Sequence, residues 1–481
     1  MYSCFETKIN QTTTGIILIL LCLFSKKIIA QTDSSSTLKR PVSIYLRNII
    51  IEGNIRTKDF IILRHLTIAP GDSLSLSDIP GLFEENKSNL VNLQLFIDVQ
   101  FNLKNWEGKQ TDIYITVKER WYSLPMISFD IYDRNFNSWW VTHNADLRRV
   151  QYGGRFLQQN VRGRDEDLYV ILLNGFAQRI EAGYNMPYIN KGMSLGLRAR
   201  IYANRNRTLQ YYNLDNKEQF YWDDNKYLRT SYGGSLDFTI RPGIRFRQVL
   251  SVSYNYASIN DSIYRLNSFY FDSAKTQQYI GLRYTVINDN RDWAAYPLKG
   301  SYTEATINKT GVGKLLSTTD LTALYLIYAR YIPLSAKWFS SVMLRSKISF
   351  PIYQPYYNQR GLGYKSDYVS GYEYYIIDAQ SYALVRANVR YRLYRLRIPV
   401  MNPFMKTNNY MPVYFYPKLL LESGYALDQT SRTDNPLSNT LLRSIGLGVD
   451  IATGYDFVFR VEYSLNHRLE KGLYLHFSGL F

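Results

Sequence analysis

Residues 471–481 read KGLYLHFSGLF. Leu473, Leu475, Phe477, Gly479 and Phe481 share one face of an extended chain; Tyr474, His476 and Ser478 share the other. An apolar stripe of period two, closing on an aromatic residue, is the pattern of a strand with one face toward hydrocarbon. Backbone edges are not tolerated unpaired in lipid. This stretch therefore predicts a closed, antiparallel transmembrane β-barrel.

Segments upstream repeat the pattern. In 454–466, Tyr455, Phe457, Phe459, Val461, Tyr463 and Leu465 oppose Asp456, Arg460, Glu462, Ser464 and Asn466. In 444–451, Ile445, Leu447, Val449 and Ile451 alternate with Ser444, Gly446, Gly448 and Asp450. In 193–202, Met193, Leu195, Leu197, Ala199 and Ile201 oppose Arg198 and Arg200, and in 381–393 Ala383, Val385, Ala387 and Val389 oppose Arg386, Arg390 and Arg392. Strands of this kind are expected near 124–133, 147–159, 166–175, 179–188, 193–203, 227–241, 245–258, 276–288, 299–308, 318–331, 338–349, 380–393, 412–425, 441–453, 455–466 and 471–481. That is about sixteen, an even number as a single-chain barrel requires. The polar connections 204–226 and 351–379 read as long loops at one rim. The connection 190–192 and the Pro242-Gly243 turn read as short turns at the other.

Composition agrees. Mean hydropathy is −0.27, and beyond the leader no run approaches the ~18 apolar residues of a spanning helix. Yet 15% of residues are aromatic, with 44 Tyr, as expected of a barrel whose spans are half apolar and whose rims carry aromatic girdles. A soluble sandwich or propeller also alternates. It does not place aromatics outward on strand after strand with arginine opposite.

At the other end, Lys8 and the apolar run 15–24 (GIILILLCLF) predict a signal peptide over 1–30, closing at Ala30. Cys4 and Cys22 both fall in it, so the mature chain is expected to have no disulfide, thiol chemistry or cysteine-held metal. Lys8, Lys26, Lys27 and Glu6 account for +2 of the formal charge of +17, leaving +15. An anionic membrane surface or a polar lumen is the expected counterpart of that charge, and no nucleic acid is expected. Residues 31–42, rich in Ser and Thr, read as a flexible start.

Residues 43–121 form a different unit. A strand over 44–51 closes at Gly53-Asn54, and Thr57 is placed to cap a helix running to Leu66. Gly71-Asp72 makes a turn, a second helix covers 75–89, and strands follow at 96–103 and 111–118. The order is β-α-α-β-β. The stretch IIIEGNIRTKDFIILRHLTIAPGDSLSLSDI, with NLQLFIDVQF and TDIYITVKER after it, resembles a POTRA domain. The resemblance implies a module that offers sheet edges to extended polypeptides. One copy is visible.

A POTRA unit at 43–121 followed by a barrel over 122–481 resembles the BamA/TamA superfamily of outer-membrane assembly and translocation proteins. NVRGR at 160–164 is similar to an early turn of that family, short of its second Gly. YNMPY at 184–188 is similar to a strand-end segment, and NDNRDWAAYPLKG at 288–300 to an Asp-x-Arg-Asp…Pro-x-x-Gly stretch. YVSGYEYYIIDAQ at 368–380 resembles the sixth loop, which folds into the barrel and carries a Val-Arg-Gly-aromatic tetrad whose Arg pairs with acidic groups on the wall. Here the tetrad is Val369, Ser370, Gly371 and Tyr372. Ser supplies neither the charge nor the fork of a guanidinium, so the loop is held by Gly371, Tyr372 and neighbours such as Asp378, or the lock is weakened. Gly472, Leu475 and Phe477, with the terminal Phe481, match the family's C-terminal barrel signal.

No catalytic chemistry is expected. GMSLG at 192–196 has Gly-x-Ser-x-Gly spacing but lacks a strand–turn–helix setting for Ser194. GVGK at 311–314 lacks the first Gly and the Ser/Thr of a P-loop. His65, His143, His467 and His476 show no metal-ligand spacing. No enzyme, cofactor or metal is expected. The inward Arg198, Arg200, Arg386, Arg390, Arg392 and Arg460 read as a basic lumen, in ion pairs with Asp450, Asp456 and Glu462 in preference to forming an anion path.

The resemblance implies an outer-membrane protein of a Gram-negative bacterium with its POTRA domain in the periplasm. It would assist insertion of outer-membrane proteins or translocate a polypeptide, as a specialised or accessory member. Its partners would be outer-membrane lipid, an unfolded or extended client, and periplasmic or lipoprotein proteins. The alternative is a channel or surface-structural barrel.

Overall fold

The computed structural model describes residues 43–131, 138–142, 144–313, 316–364, 366–400, 409–430 and 434–478. The predicted signal and flexible segments, with Cys4 and Cys22, lie outside these residues, as do His143, Lys314 and Phe481.

The first unit comprises β1 (Ser43–Glu52), α1 (Asp59–Arg64), β2 (Ser73–Ser75), α2 (Ile79–Val91), β3 (Phe96–Glu107) and β4 (Gln110–Glu119). The sheet order is β2-β1-β4-β3, with β1 and β4 parallel at its centre. Leu46, Ile61, Ile62, Leu74, Leu90, Val99, Ile113 and Ile115 draw one apolar core from both helices and all four strands. Pro80 occupies the first turn of α2, where a missing N–H costs nothing.

Two details differ from the sequence reading. The short β2 adds a strand between the helices. Thr57 does not cap α1: Lys58 is the N-cap residue, and the buried Thr57 hydroxyl meets Tyr122 Oη at 3.0 Å and accepts a hydrogen bond from Asn160 Nδ2 at 2.8 Å. Tertiary partners outcompete the local capping bond here. Asn54 Nδ2 donates to Thr57 O and Asp59 Oδ1. Asp72 accepts from the Ala69 N–H, Gly71 N donates to Leu46 O, and Gly53 lies against the Val117 carbonyl.

Three residues after β4, the barrel begins. Its strands are β5 (Ser123–Ile131), β6 (Val150–Gln158), β7 (Asp167–Gly175), β8 (Ala177–Met186), β9 (Leu195–Asn206), β12 (Arg229–Ile240), β13 (Phe246–Ile259), β14 (Thr276–Asp289), β15 (Gly300–Thr310), β16 (Leu321–Pro333), β17 (Trp338–Phe350), β18 (Ser381–Tyr391), β19 (Tyr394–Val400), β20 (Asn409–Leu427), β21 (Leu441–Thr453), β22 (Val458–Asn466) and β23 (Lys471–Ser478). They close in sequence order, β23 beside β5. β18 and β19 lie end to end against the same neighbour, β20, so these seventeen segments make sixteen staves.

Outward residues are apolar and inward ones polar. On β21, Ile445, Leu447 and Val449 are exposed on the outer wall while Ser444 and Asp450 are buried inside. The short turns lie at the POTRA end and the long connections at the opposite end. One long connection holds a hairpin, β10 (Thr208–Leu214) and β11 (Lys217–Trp222), which the sequence reading passed over as loop.

Candidate functional site

The POTRA unit sits on the near-end turns. Lys58 N donates to Gly163 O at 2.9 Å. Gly163 has φ +72, and a Cβ on it would stand 2.1 Å from the Arg56 carbonyl oxygen. Only glycine permits both that backbone and that approach. From α1, Arg64 donates to the carbonyls of Met193 and Arg241. His65 accepts from Tyr188 Oη on Nε2 at 2.9 Å, since its Nδ1–H is committed to Ile61 O at 2.8 Å. From α2, Asn92 and Ser88 hold the 291–294 turn through backbone atoms.

That turn enters the lumen. Tyr296 packs with Leu298, Phe339, Tyr416, Ala452 and Val458, and its hydroxyl donates to Asp450 Oδ2 at 2.8 Å. Trp293 Nε1 donates to Asp456 Oδ1 at 2.7 Å, whose other oxygen pairs with Arg120 of the POTRA–barrel joint at 2.7 Å. Both members of this pair are buried, a geometry in which losing one partner strands a charge.

From the far end, the connection between β17 and β18 folds into the barrel. Val369 packs against Gly424 of β20, where a Cβ would come within 2.6 Å of its Cγ2. Ser370 N–H donates to Glu422 Oε2 at 2.8 Å, and its hydroxyl approaches Glu462 Oε2 at 3.4 Å. Gly371, at φ +85, gives its carbonyl to Asn466 Nδ2 at 2.8 Å. Tyr372 Oη reaches Arg443 O at 3.4 Å and the His467 ring nitrogen. Asp378 is held by Asn213 Nδ2 at 2.6 Å and Tyr364 Oη at 2.5 Å.

The guanidinium absent at Ser370 comes instead from the wall. Arg386 on β18 stands 3.3 Å from Glu422, lies over the Tyr368 ring at 4.7 Å, and donates to the carbonyls of Tyr368 and Ser366. Lys418 bridges Asp450 and Glu462 at 2.6 Å each. A charged chain thus runs from Tyr296 through Asp450, Lys418 and Glu462 to the tetrad. His476 Nε2 closes on the same place, 3.4 Å from Glu373 and 3.7 Å from Glu462. These three residues could hold a metal ion.

The expected ion pairs are redistributed. Asp450 and Glu462 pair with Lys418, and Asp456 with Arg120. Of the six inward arginines, Arg386 takes Glu422. Arg390 donates to Asn388 Oδ1 and Pro297 O, and Arg392 lies over Phe339. Arg460 stands in register between Asp450 and His476. Arg198 and Arg200 line a cavity of about 320 Å³ with Tyr169, Asp237, Tyr279 and Arg283. Partner choice depends on which strands face each other across the closed wall, which no local spacing encodes. Lys418, Glu422, Tyr296 and Glu373 were missed for that reason.

On the last strand, Gly472 stands opposite Ser464 and Leu475 opposite Val461, and Phe477 faces outward. Ser194 has its hydroxyl accepting from Asn190 Nδ2 at 3.0 Å in a turn, not on a nucleophile elbow.

Two family descriptions match this arrangement. POTRA, described as a surface antigen variable number repeat, matches residues 44–120, and the Omp85 superfamily domain matches residues 160–382. Among solved structures the chain is similar to BamA from Haemophilus ducreyi lacking POTRA domains 1–3, at 14% identity and TM-score 0.51, over 90% of this chain and 84% of that one. It is similar to CdiB from Escherichia coli at 12% identity and TM-score 0.52, over 90% of this chain and 76% of that one. At such identities the likeness is one of fold. No curated protein matches. The POTRA unit, the barrel of sixteen staves and the two family matches, in chain order, make this chain a member of the Omp85 superfamily.

Proposed function

We propose that this protein works in the outer membrane of a Gram-negative bacterium, its POTRA domain in the periplasm, passing an extended polypeptide from the POTRA sheet to the barrel seam for insertion or translocation. The β3 edge lies at the end of the sheet order, and among the described residues it pairs only with β4. It is a template for an added strand. β4 leads to β5, the first seam strand, through residues 120–122 alone. Arg120 and Tyr122 are buried there, so the receiving edge and the seam are joined stiffly.

The observation that carries the reading is where apolar surface is left open. Ile127 at 84%, Phe129 at 76% and Phe477 at 68% are the most exposed apolar side chains of the described barrel strands. All three sit on the two seam strands. A seam thinly covered by its neighbours opens at least cost, and the client's own folding into lipid supplies the driving force. No cofactor is needed.

A solute channel is the weaker reading. The 351–380 connection and the 290–299 turn enter the lumen from opposite ends, and a pore has no use for a polypeptide-binding edge. The test is quantitative proteomics of outer membranes after depletion. Selective loss of one or a few barrel or surface proteins is expected and names the client. An unchanged outer-membrane proteome overturns the assembly reading in favour of a channel or surface-structural role.

A further inference from the structure

We propose that Glu373, Glu462 and His476 form a site for a divalent transition-metal ion of the zinc class, clipping the luminal loop to the last two strands. The three ligand atoms lie within 4.8 Å of one another. Glu373 comes from the loop, Glu462 from β22 and His476 from β23.

The His476 side chain is only 9% exposed. Its Nε2 is fully covered and, among the described residues, has no hydrogen-bond partner. The nearest carboxylate oxygens stand at 3.4 and 3.7 Å, beyond the roughly 2.7–2.9 Å of a charge-assisted bond. The shorter of the two matches the spacing of neighbouring ligands on a tetrahedral ion, and the longer needs a small inward shift of Glu462. Bonds of about 2.0–2.1 Å set such ligands roughly 3.3–3.4 Å apart. One imidazole and two carboxylates, three protein ligands in all, is the donor set of an open zinc-type site.

The surroundings hold the ligands in place. Tyr368 stacks on the imidazole at 4.9 Å, and Lys418 binds the other Glu462 oxygen at 2.6 Å. Such outer contacts orient metal ligands. A metal ion would give the covered Nε2 a partner at bonding distance and draw both carboxylates toward it. The site stands whether or not the client reading does.

The test uses untagged, full-length mature protein in detergent, dialysed against micromolar Zn²⁺ and analysed for metal. Co²⁺ is then substituted and its visible spectrum recorded. About one Zn²⁺ per chain and the intense bands of four-coordinate Co²⁺ are expected. His476→Gln should weaken binding by more than the ~10–100-fold typical of outer-partner loss. Glu373→Gln should weaken it too. Heat-modifiable gel mobility reports folding; should His476→Gln fail to fold, Glu373→Gln decides. Wild-type protein that retains no Zn²⁺, or a folded His476→Gln or Glu373→Gln variant that retains it like wild type, overturns the proposal.

Discussion

His65 holds α1 and the barrel together with its two ring nitrogens, and that use fixes its charge. Burial, with Arg64 and Arg241 nearby, holds its pKa at about 4, against an ordinary 6.5. Between those values the unfolded residue binds a proton that the folded one refuses, so stability rises with pH across that window. It is fully present above about 6.5 and is lost as pH falls toward 4, by about 3 kcal/mol in all. Amide exchange of 59–64 should quicken over that range, and His65→Gln should flatten the dependence; an equally steep profile in the variant refutes the assignment. Gly163 makes a second, pH-independent claim. Gly163→Ala incurs about 1–2 kcal/mol for a left-handed backbone, before its Cβ meets the Arg56 carbonyl. Exchange of the Lys58 amide, bonded to Gly163 O, should rise about tenfold or more.

The strands could be read from sequence because each is a local object. Tyr463 and Leu465 face lipid while Glu462 and Ser464 face the lumen, and the contrast between the two media writes itself into period two. The β10–β11 hairpin has no lipid face, so its residues carry no such contrast and read as loop. β19 is missing from the expected strands: the segment 380–393 stops close to the end of β18, and Tyr394–Val400 continues the same stave against β20. The luminal lock is an object of a third kind. Its tetrad was visible as a motif with a missing arginine, but the replacement, Arg386, lies on a strand whose alternation gives it only an inward direction. A swap tests whether that relocation is functional. Arg386→Ala leaves Glu422 buried with the Ser370 amide and should loosen the loop by about 3–5 kcal/mol, as for other broken buried pairs. Ser370→Arg alone brings a second guanidinium to an occupied carboxylate and should also loosen it. The double variant should recover much of the loss, a coupling readable as a double-mutant cycle in amide exchange of 369–372. Additive effects would mean that the two positions do not share Glu422.

Across the whole molecule, the POTRA edge, the stiff 120–122 joint and the thinly covered seam make sense as one device only if the seam must part. Sixteen staves close the wall, so on the proposed function a client strand enters lipid by displacing the β5–β23 contact, while the loop and the 290–299 turn stand in the lumen. Covalent closure should therefore abolish function without harming the fold. The cysteine background is favourable, since Cys4 and Cys22 are the only two and both lie in the predicted leader. Cysteine pairs drawn from 127–129 on β5 and 475–477 on β23 should include one that oxidises readily in the folded protein, because disulfide geometry demands Cα separations of about 4.4–6.8 Å. With that pair oxidised, the client found by depletion should fail to reach the outer membrane, and reductant should restore it. The same pair moved to β14 and β15, where Thr285 and Thr306 face each other in register, should cross-link with no effect. Unimpaired delivery through a stapled seam would place the client's route through the lumen, and the loop and the 290–299 turn would then have to leave it.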